Sequence, residues 1–249
     1  MEIKYIGKTL LIEDSGERVL VIGDLHLGYE EAMRTNGILV PSGIYEEIVR
    51  EIELVFDYLE KKRKKVDKVV LLGDVRHEFG RILKSEWKEV LDFLDYLKEK
   101  IGKKGEIVVV KGNHDTMTVN IVKKKNIEIV DYYIWGGLAF LHGDKDFDVV
   151  YDKDIKYWVM GHAHPAVVLQ DKKSVKKEKY KCFLVGKFKR KEIIVVPSFF
   201  PIVEGSDVTG LNGNELGLAW DFKLGSFEVK IVEGEESLET LDFGRLNKF

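Results

Sequence analysis

Asp24 and His26 stand two residues apart where an apolar run ends, in the stretch VIGDLHLGYE from Val21 to Glu30. Four later apolar runs end in the same kind of residues. GDVRHE carries Asp74, His77 and Glu78, and GNHD carries Asn113, His114 and Asp115. HGD carries His142 and Asp144, and GHAH carries His162 and His164. The chain has six histidines, and all six fall in these five stretches. Taken singly, each stretch has an ordinary explanation. A lone histidine is more often a hydrogen-bonded structural residue, and a lone GD or GNHD is a turn. Five of them at successive run ends form a set. Imidazole nitrogens with carboxylate and carboxamide oxygens suit Mn2+, Fe, Zn2+ or Ni2+. No thiolate takes part, which excludes a structural zinc site of the cysteine type. Side chains at i and i+2 of an extended strand point the same way. Asp24 with His26, and His162 with His164, can therefore each converge on one point. About seven donors exceed the needs of one ion, and a carboxylate-bridged pair of ions accounts for the number. Gly23, Gly73, Gly112, Gly143 and Gly161 allow sharp turns and close backbone approach beside these donors.

Elements must carry these donors to one place. Ile3–Ile6 and Thr9–Ile12 read as a hairpin turning over Gly7-Lys8. Val19–Gly23, Val66–Gly73, Glu106–Lys111, Leu138–His142 and Tyr157–Gly161 read as buried strands, apolar on both faces. Ile44, Ile48, Ile52, Val55 and Leu59 step by three and four, which predicts a helix from Gly43 to about Lys62 with Ser42 as its cap. Ser85 opens a second helix to about Lys100. Strand patterns follow at Ala166–Leu169, Tyr180–Val185, Glu192–Val196, Glu215–Phe222 and Ser226–Val232. The expectation is an α/β fold of two packed mixed sheets with helices outside. Ligands in such folds gather at the carboxyl ends of strands.

The 249 residues, 45% hydrophobic, suffice for a full core, and no linker composition interrupts them, so one domain over 1–249 is expected. The net charge of −3 excludes a surface that is basic throughout. The single cysteine, Cys182, excludes an internal disulfide framework, fits a reducing compartment and reads as a small core residue. No N-terminal run has the character of a signal peptide, and no segment approaches the ~20 apolar residues of a membrane span. A cytoplasmic protein without membrane contact is the resulting expectation. A charged fraction of 33%, rich in Lys and Glu, carries a hint of heat adaptation.

The ordered set D-x-H, GD, GNHD, H, GHxH over residues 19–164 resembles the calcineurin-like metallophosphoesterase superfamily. The resemblance implies a four-layer αββα sandwich and hydrolysis of phosphate esters by two divalent ions, Mn2+ above Fe, Ni, Zn or Co. Those ions sit roughly 3.5–4 Å apart with a bridging hydroxide as nucleophile. It implies that Asp24, His26 and His164 hold the first ion, that Asp74 bridges, and that Asn113, His142 and His162 hold the second. It places His114 over the substrate, acting on the phosphate or the leaving group. In the Ser/Thr phosphatase branch the residue three after the bridge is an aspartate; here it is His77, with no DRG following. A histidine there, and the DLHLGY opening, resemble the SbcD-type DNA nucleases and the compact SbcD-related or ICC-like phosphoesterases. The implied function is a phosphodiesterase or nuclease, with DNA or RNA as candidate substrate and a repair protein as candidate partner. A phosphomonoesterase or nucleotide phosphatase is the alternative. A non-catalytic metal-bound scaffold is the third reading, and the intact donor set and His114 weigh against it.

Three stretches lie outside that set. Lys172 to Lys191 holds ten Lys or Arg against one Glu. Lys187, Lys189 and Arg190 are its candidate contacts to a phosphate backbone; a solvated, edge-protecting hairpin is the plainer explanation. The stretch from Gly28 to Gly43 is either a substrate rim or a connection. VPSFFP, Val196 to Pro201, offers Phe199 and Phe200 as a stacking platform or as core.

Overall fold

The computed structural model describes residues 1–78, 83–170, 177–234 and 238–249, with backbone alone at residues 116 and 120. Its strands and helices follow in the order β1 (Glu2–Ile6), β2 (Thr9–Asp14), β3 (Glu17–Ile22), α1 (Tyr29–Thr35), α2 (Ile44–Lys61), β4 (Lys68–Leu71), α3 (Lys84–Ile101) and β5 (Glu106–Val110). There follow α4 (Thr118–Val122), β6 (Glu128–Val130), β7 (Tyr133–Trp135), β8 (Leu138–Leu141), β9 (Tyr157–Met160), β10 (Pro165–Gln170), β11 (Lys177–Phe188), β12 (Lys191–Val195), β13 (Ser206–Asp207), β14 (Glu228–Val232) and β15 (Thr240–Arg245).

The first sheet runs β1-β2-β3-β4-β5-β6, with β3 to β6 parallel. The second runs β13-β10-β11-β12-β9-β8-β7, with β14 joined to β11 and β15 to β14. β8, β9 and β12 are parallel to one another. Alternation along each central strand divides its side chains between two cores. Val19, Val21, Val70, Val108 and Val110 meet Phe140, Val159, Phe183 and Ile194 between the sheets. Leu20, Ile22, Val69, Leu71 and Val109 face the helices on the other side. Burial on both faces is why these strands read as unbroken apolar runs.

The predicted stripe of α2, Ile44, Ile48, Ile52, Val55 and Leu59, is buried against Val90, Phe93, Leu94 and Leu97 of α3. The outer face of the second sheet, with Trp158, Cys182 and Leu184, is covered by aromatic side chains such as Trp220, Phe222 and Phe227 on short 3-10 turns and irregular chain. The expected architecture of two mixed sheets with flanking helices is what the chain adopts.

Several local expectations change. Ser42 does not cap α2; Gly43 does, at φ 92°, and its amide and that of Ile44 donate to Glu30 Oε1 at 2.8 and 2.7 Å. The stretch 28–43 holds a helix, α1, whose one buried residue, Ala32, leaves no apolar stripe to read. Ser85 lies inside α3 and bonds Glu31 through both its amide and its hydroxyl. Glu215–Phe222 is not a strand. Gly213–Leu216 is a 3-10 turn in which Glu215 accepts the Asn212 amide, and Gly217 leaves it at φ 78°. β6 and β7 are too short, and β15 too exposed, to show alternation.

Candidate metal centre

Five loops deliver the candidate donors, each at the carboxyl end of a parallel strand. Asp24 and His26 follow β3, Asp74 and His77 follow β4, and Asn113 and His114 follow β5. From the second sheet, His142 follows β8, and His162 and His164 follow β9. Backbone bonds lock these loops together. The amides of Leu25 and His26 donate to the Asp74 carbonyl at 3.1 and 2.9 Å, and the Gly161 amide donates to the His142 carbonyl at 2.9 Å. His26, Asp74, His162 and His164 all have positive φ, between 44° and 64°. That conformation is uncommon outside glycine, and four such residues in one site mark backbone strain held by its surroundings. Two glycines let the loops close in: a Cβ on Gly112 would strike the Asp74 carboxylate, and one on Gly161 the Asp24 carboxylate.

The structure brings together all seven predicted ligands, in two groups. Asp24, His26 and His164 present donor atoms within 4.8 Å of one another, and Asp74, His142 and His162 do the same. Asn113 Oδ1 joins the second group at 2.9 Å from His142 Nε2. The two-residue spacing brings Asp24 and His26 together but separates His162 from His164. These residues lie beyond the strands in left-handed turns, so strand alternation does not govern them.

Both groups are crowded with acceptors. His26 Nε2 lies 3.4 Å from His164 Nε2, and His162 Nδ1 lies 3.0 Å from His142 Nε2. His142 Nδ1 donates to the Leu72 carbonyl at 2.8 Å, which leaves Nε2 its lone pair, aimed at the group. Asp24 Oδ1 is 3.3 Å from His164 Nε2, and Asp74 Oδ1 is 3.5 Å from His142 Nε2. Facing lone pairs and buried carboxylates repel unless a cation or a proton lies between them, so both groups fit divalent ions.

The titration of the groups records the same crowding. Burial pushes the Asp74 carboxyl up to about 7, against the pull of His142. Burial also acts on Asp24, but its histidine neighbours, His164 foremost, hold that carboxyl well below the usual range. His26 is pushed well down by burial and by His164. His142 resists burial and is raised by Asp74 and Asp24.

His114 and His77 border the centre. His114 Nδ1 donates to the His77 carbonyl, its amide donates to Asp74 Oδ1 at 3.0 Å, and its Nε2 lies 3.7 Å from Asp74 Oδ2. Burial lowers the pKa of both rings. The His77 ring lies 5.7 Å from that of His114 and 4.8 Å from that of Tyr29. His26, His77 and His114 also bring nitrogens within 4.8 Å of one another.

Other singled-out residues serve elsewhere. Asp115 is buried and fixes its own loop, accepting the Gly112 amide at 3.0 Å and the Thr118 hydroxyl at 2.8 Å. Asp144 pairs with Lys145 at 3.8 Å. Phe199 and Phe200 are 1% and 2% exposed and belong to the core, which removes the stacking platform. Lys187, Lys189 and Arg190 are not brought to the site. Lys187 pairs with Glu192 at the start of β12, beside the start of β9, whereas His162 and His164 follow its end. Residues 172–176 of the basic stretch lie outside the described residues. Tyr29, the last residue of DLHLGY, had no role of its own in the sequence, and neither had the fully buried pair of Arg76 with Glu86, 3.2 Å apart, behind the His77 loop. Charged residues are common throughout this sequence, so nothing in their order flags that pair.

Among the described residues no helix is long and apolar enough to cross a membrane. No match to a curated protein sequence was found. Among solved structures, the nuclease MPE of Pseudomonas putida aligns at 16% identity over 94% of this chain and 100% of its own, with a TM-score of 0.59. Vps29 of Entamoeba histolytica in its zinc complex aligns at 14% identity over 91% of this chain and 99% of its own, with a TM-score of 0.38. A protein of unknown function from Aquifex aeolicus aligns at 20% identity over 63% of this chain and 81% of its own, with a TM-score of 0.35. The first of these likenesses bears on the fold alone. The pattern described as Calcineurin-like phosphoesterase matches residues 17–215, and with that match the chain belongs to the calcineurin-like phosphoesterase family.

Proposed function

We propose that this phosphoesterase uses two divalent ions to hydrolyse phosphodiesters, with nucleic acid as the substrate class. The observation that carries the reading is the pair of adjoining donor groups with Asp74 and His114 beside them. Asp24, His26 and His164 would hold one ion; Asn113, His142 and His162 would hold the other; Asp74 would serve both. Mn2+ heads the list of metals, and the nitrogen and oxygen donors also accommodate Fe, Ni, Zn and Co. When bound, such ions supply positive charge for phosphoryl oxygens and acidify water.

The chain's own groups supply the rest. His114, anchored through Nδ1 on the His77 carbonyl, turns Nε2 toward the centre, where it can hold a proton for the leaving oxygen. The His77 ring flanks His114 where a diester's second substituent would lie, at the position that is an aspartate in the Ser/Thr phosphatase branch. That feature favours diesters over monoesters. The neighbour from Pseudomonas putida, a nuclease by its description, supports the same substrate class.

The test is a matched panel of bis-p-nitrophenyl phosphate, p-nitrophenyl phosphate, DNA and RNA, run after chelation and after adding back Mn2+. Chelated protein should be inactive, and Mn2+ should restore diester cleavage with two ions per chain. Asp74→Asn should lose more activity than the roughly 10–100-fold that an outer partner of a metal site costs. One ion per chain at saturation, or unchanged turnover in Asp74→Asn, would refute the two-metal reading.

A further inference from the structure

Behind Asp24 the chain from Val196 to Pro201 makes a short support whose two sides are both occupied. On the inner side, the amides of Phe199 and Phe200 donate to the Asp24 carbonyl, each at 3.1 Å. The Ser198 hydroxyl donates to the same oxygen at 3.0 Å and accepts the Phe200 amide at 3.2 Å. On the outer side, two lysines take the three successive carbonyls of the same residues. Lys8 Nζ donates to the Phe199 carbonyl at 3.2 Å. Lys181 Nζ donates to the Ser198 carbonyl at 3.0 Å and to the Phe200 carbonyl.

Lys8 is not an incidental surface cation, and Lys181 is half-buried. Lys8 sits on the β1–β2 turn, 7% exposed, paired with Glu51 of α2, which is 5% exposed. Its ammonium also lies 4.8 Å from the centre of the Phe199 ring. A buried ion pair adds little net stability over apolar residues of the same shape, because desolvation offsets the attraction. What such a pair does supply is direction. An ammonium on a carbonyl polarises that peptide and strengthens the donation of hydrogen-bonded amides in the chain beyond it. Here those amides end on the Asp24 backbone. From the other side, the amides of Leu25 and His26 are held by the Asp74 carbonyl. The peptide from Asp24 to His26 is thereby clamped at both ends. Phe200, set by the same support, packs its ring 5.8 Å from that of His26.

We infer that Lys8 and Lys181 are positioning residues of the first metal group, acting through the Phe199 and Ser198 carbonyls, whose peptide amides reach Asp24, to fix Asp24 and His26. The inference rests on the two-metal reading above. Among the described residues the inner hydrogen bonds of Ser198, Phe199 and Phe200 end on Asp24, whereas His142 and Asn113 come from other loops.

The experiment is Mn2+ binding to the chelated full chain, by calorimetry, alongside thermal unfolding. Lys8→Met would leave Glu51 buried and unpaired, so it is made together with Glu51→Leu. Lys181→Met and Lys181→Arg are made singly. In the Lys8→Met/Glu51→Leu double variant and in Lys181→Met, one of the two sites should weaken by about 10-fold or more, as for outer partners of metal ligands. The other site and the unfolding midpoint should stay close to wild type, and Lys181→Arg should recover most of the lost affinity. kcat should fall at limiting Mn2+ with KM little changed. Two wild-type affinities in both Met-bearing proteins would overturn the inference alone, and so would equal weakening of both sites. If the double variant does not fold, Lys181→Met with its arginine counterpart decides. A wild-type chain binding fewer than two ions would overturn the proposed function and this inference together.

Discussion

His114 is aimed by a backbone oxygen. Its Nδ1 rests on the His77 carbonyl, so the His77 side chain is not what orients it. This separates two roles that a substitution at His77 would otherwise confuse. His77→Asn keeps the carbonyl and removes the ring, which touches the first metal group only by its edge contact with His26, at 5.5 Å between ring centres. His77→Asn is therefore expected to reduce kcat/KM for a diester at least about 10-fold more than for the matched monoester, with metal content intact. His114→Asn should cost both ester classes roughly 100-fold or more, within the usual range for a proton donor. It should cost a poor alkoxide leaving group more than p-nitrophenolate. The check is kcat/KM on matched esters with metals counted in parallel. Equal losses on both classes in His77→Asn would remove the reason to prefer diesters.

Among the elements, α1 is short, yet three carboxylates hold it or its start in place. Glu30 accepts the Gly43 and Ile44 amides at the start of α2, at 2.8 and 2.7 Å. Glu31 accepts the amide of Ser85 in the first turn of α3, and Glu89 of α3 accepts the Gly28 amide, each at 2.8 Å. Carboxylates suit helix N-termini, where amides lack partners and the dipole is positive. α1 begins at Tyr29, whose ring packs on His77 and Phe200, so the clasp bears on one wall of the centre. Glu30→Ala is expected to lower unfolding free energy by about 1 kcal/mol, the usual cost of a lost N-cap partner. It should also raise KM for diesters as Tyr29 loosens. Urea unfolding and steady-state kinetics check this; unchanged stability would show that water replaces the carboxylate at no cost.

Across the whole molecule, the basic stretch is divided. β11 pairs with β10 along its first part and with β12 along its last, so its lysines are spread along the sheet. Lys179 pairs with Val168 and Lys177 with Gln170 of β10, four and six residues beyond His164. Lys187 pairs with Glu192 at the opposite end, about 26 Å from Lys179 along β11 at ~3.3 Å per residue. Lys189 and Arg190 form the turn there, both at positive φ. Neutralising Lys187, Lys189 and Arg190 together should leave nucleic-acid binding and its salt dependence unchanged. Lys179→Ser, at the position nearer His164, should weaken binding and flatten the salt slope by roughly one unit for the phosphate no longer neutralised. Binding isotherms at several salt concentrations decide; the reverse result would place the polymer at the far end of the sheet.

Residue order alone set the chemistry and the strands that carry it. All six histidines lie at the ends of apolar runs, and those runs are apolar because the strands are buried on both faces. The stripe of α2 was legible for the same reason: burial leaves a period in the residue types. Contacts between distant segments leave no such period. Folding parted His162 from His164, because left-handed turns, and not strand alternation, direct those rings. Folding also replaced Ser42 by Glu30 as the partner of the α2 amides, since a cap can come from any segment that packs against the helix end. And it was folding that joined Lys8, Lys181 and Glu51 to Asp24. A lysine reads as solvated wherever it occurs, until the fold closes around it and leaves its ammonium facing carbonyls instead of water.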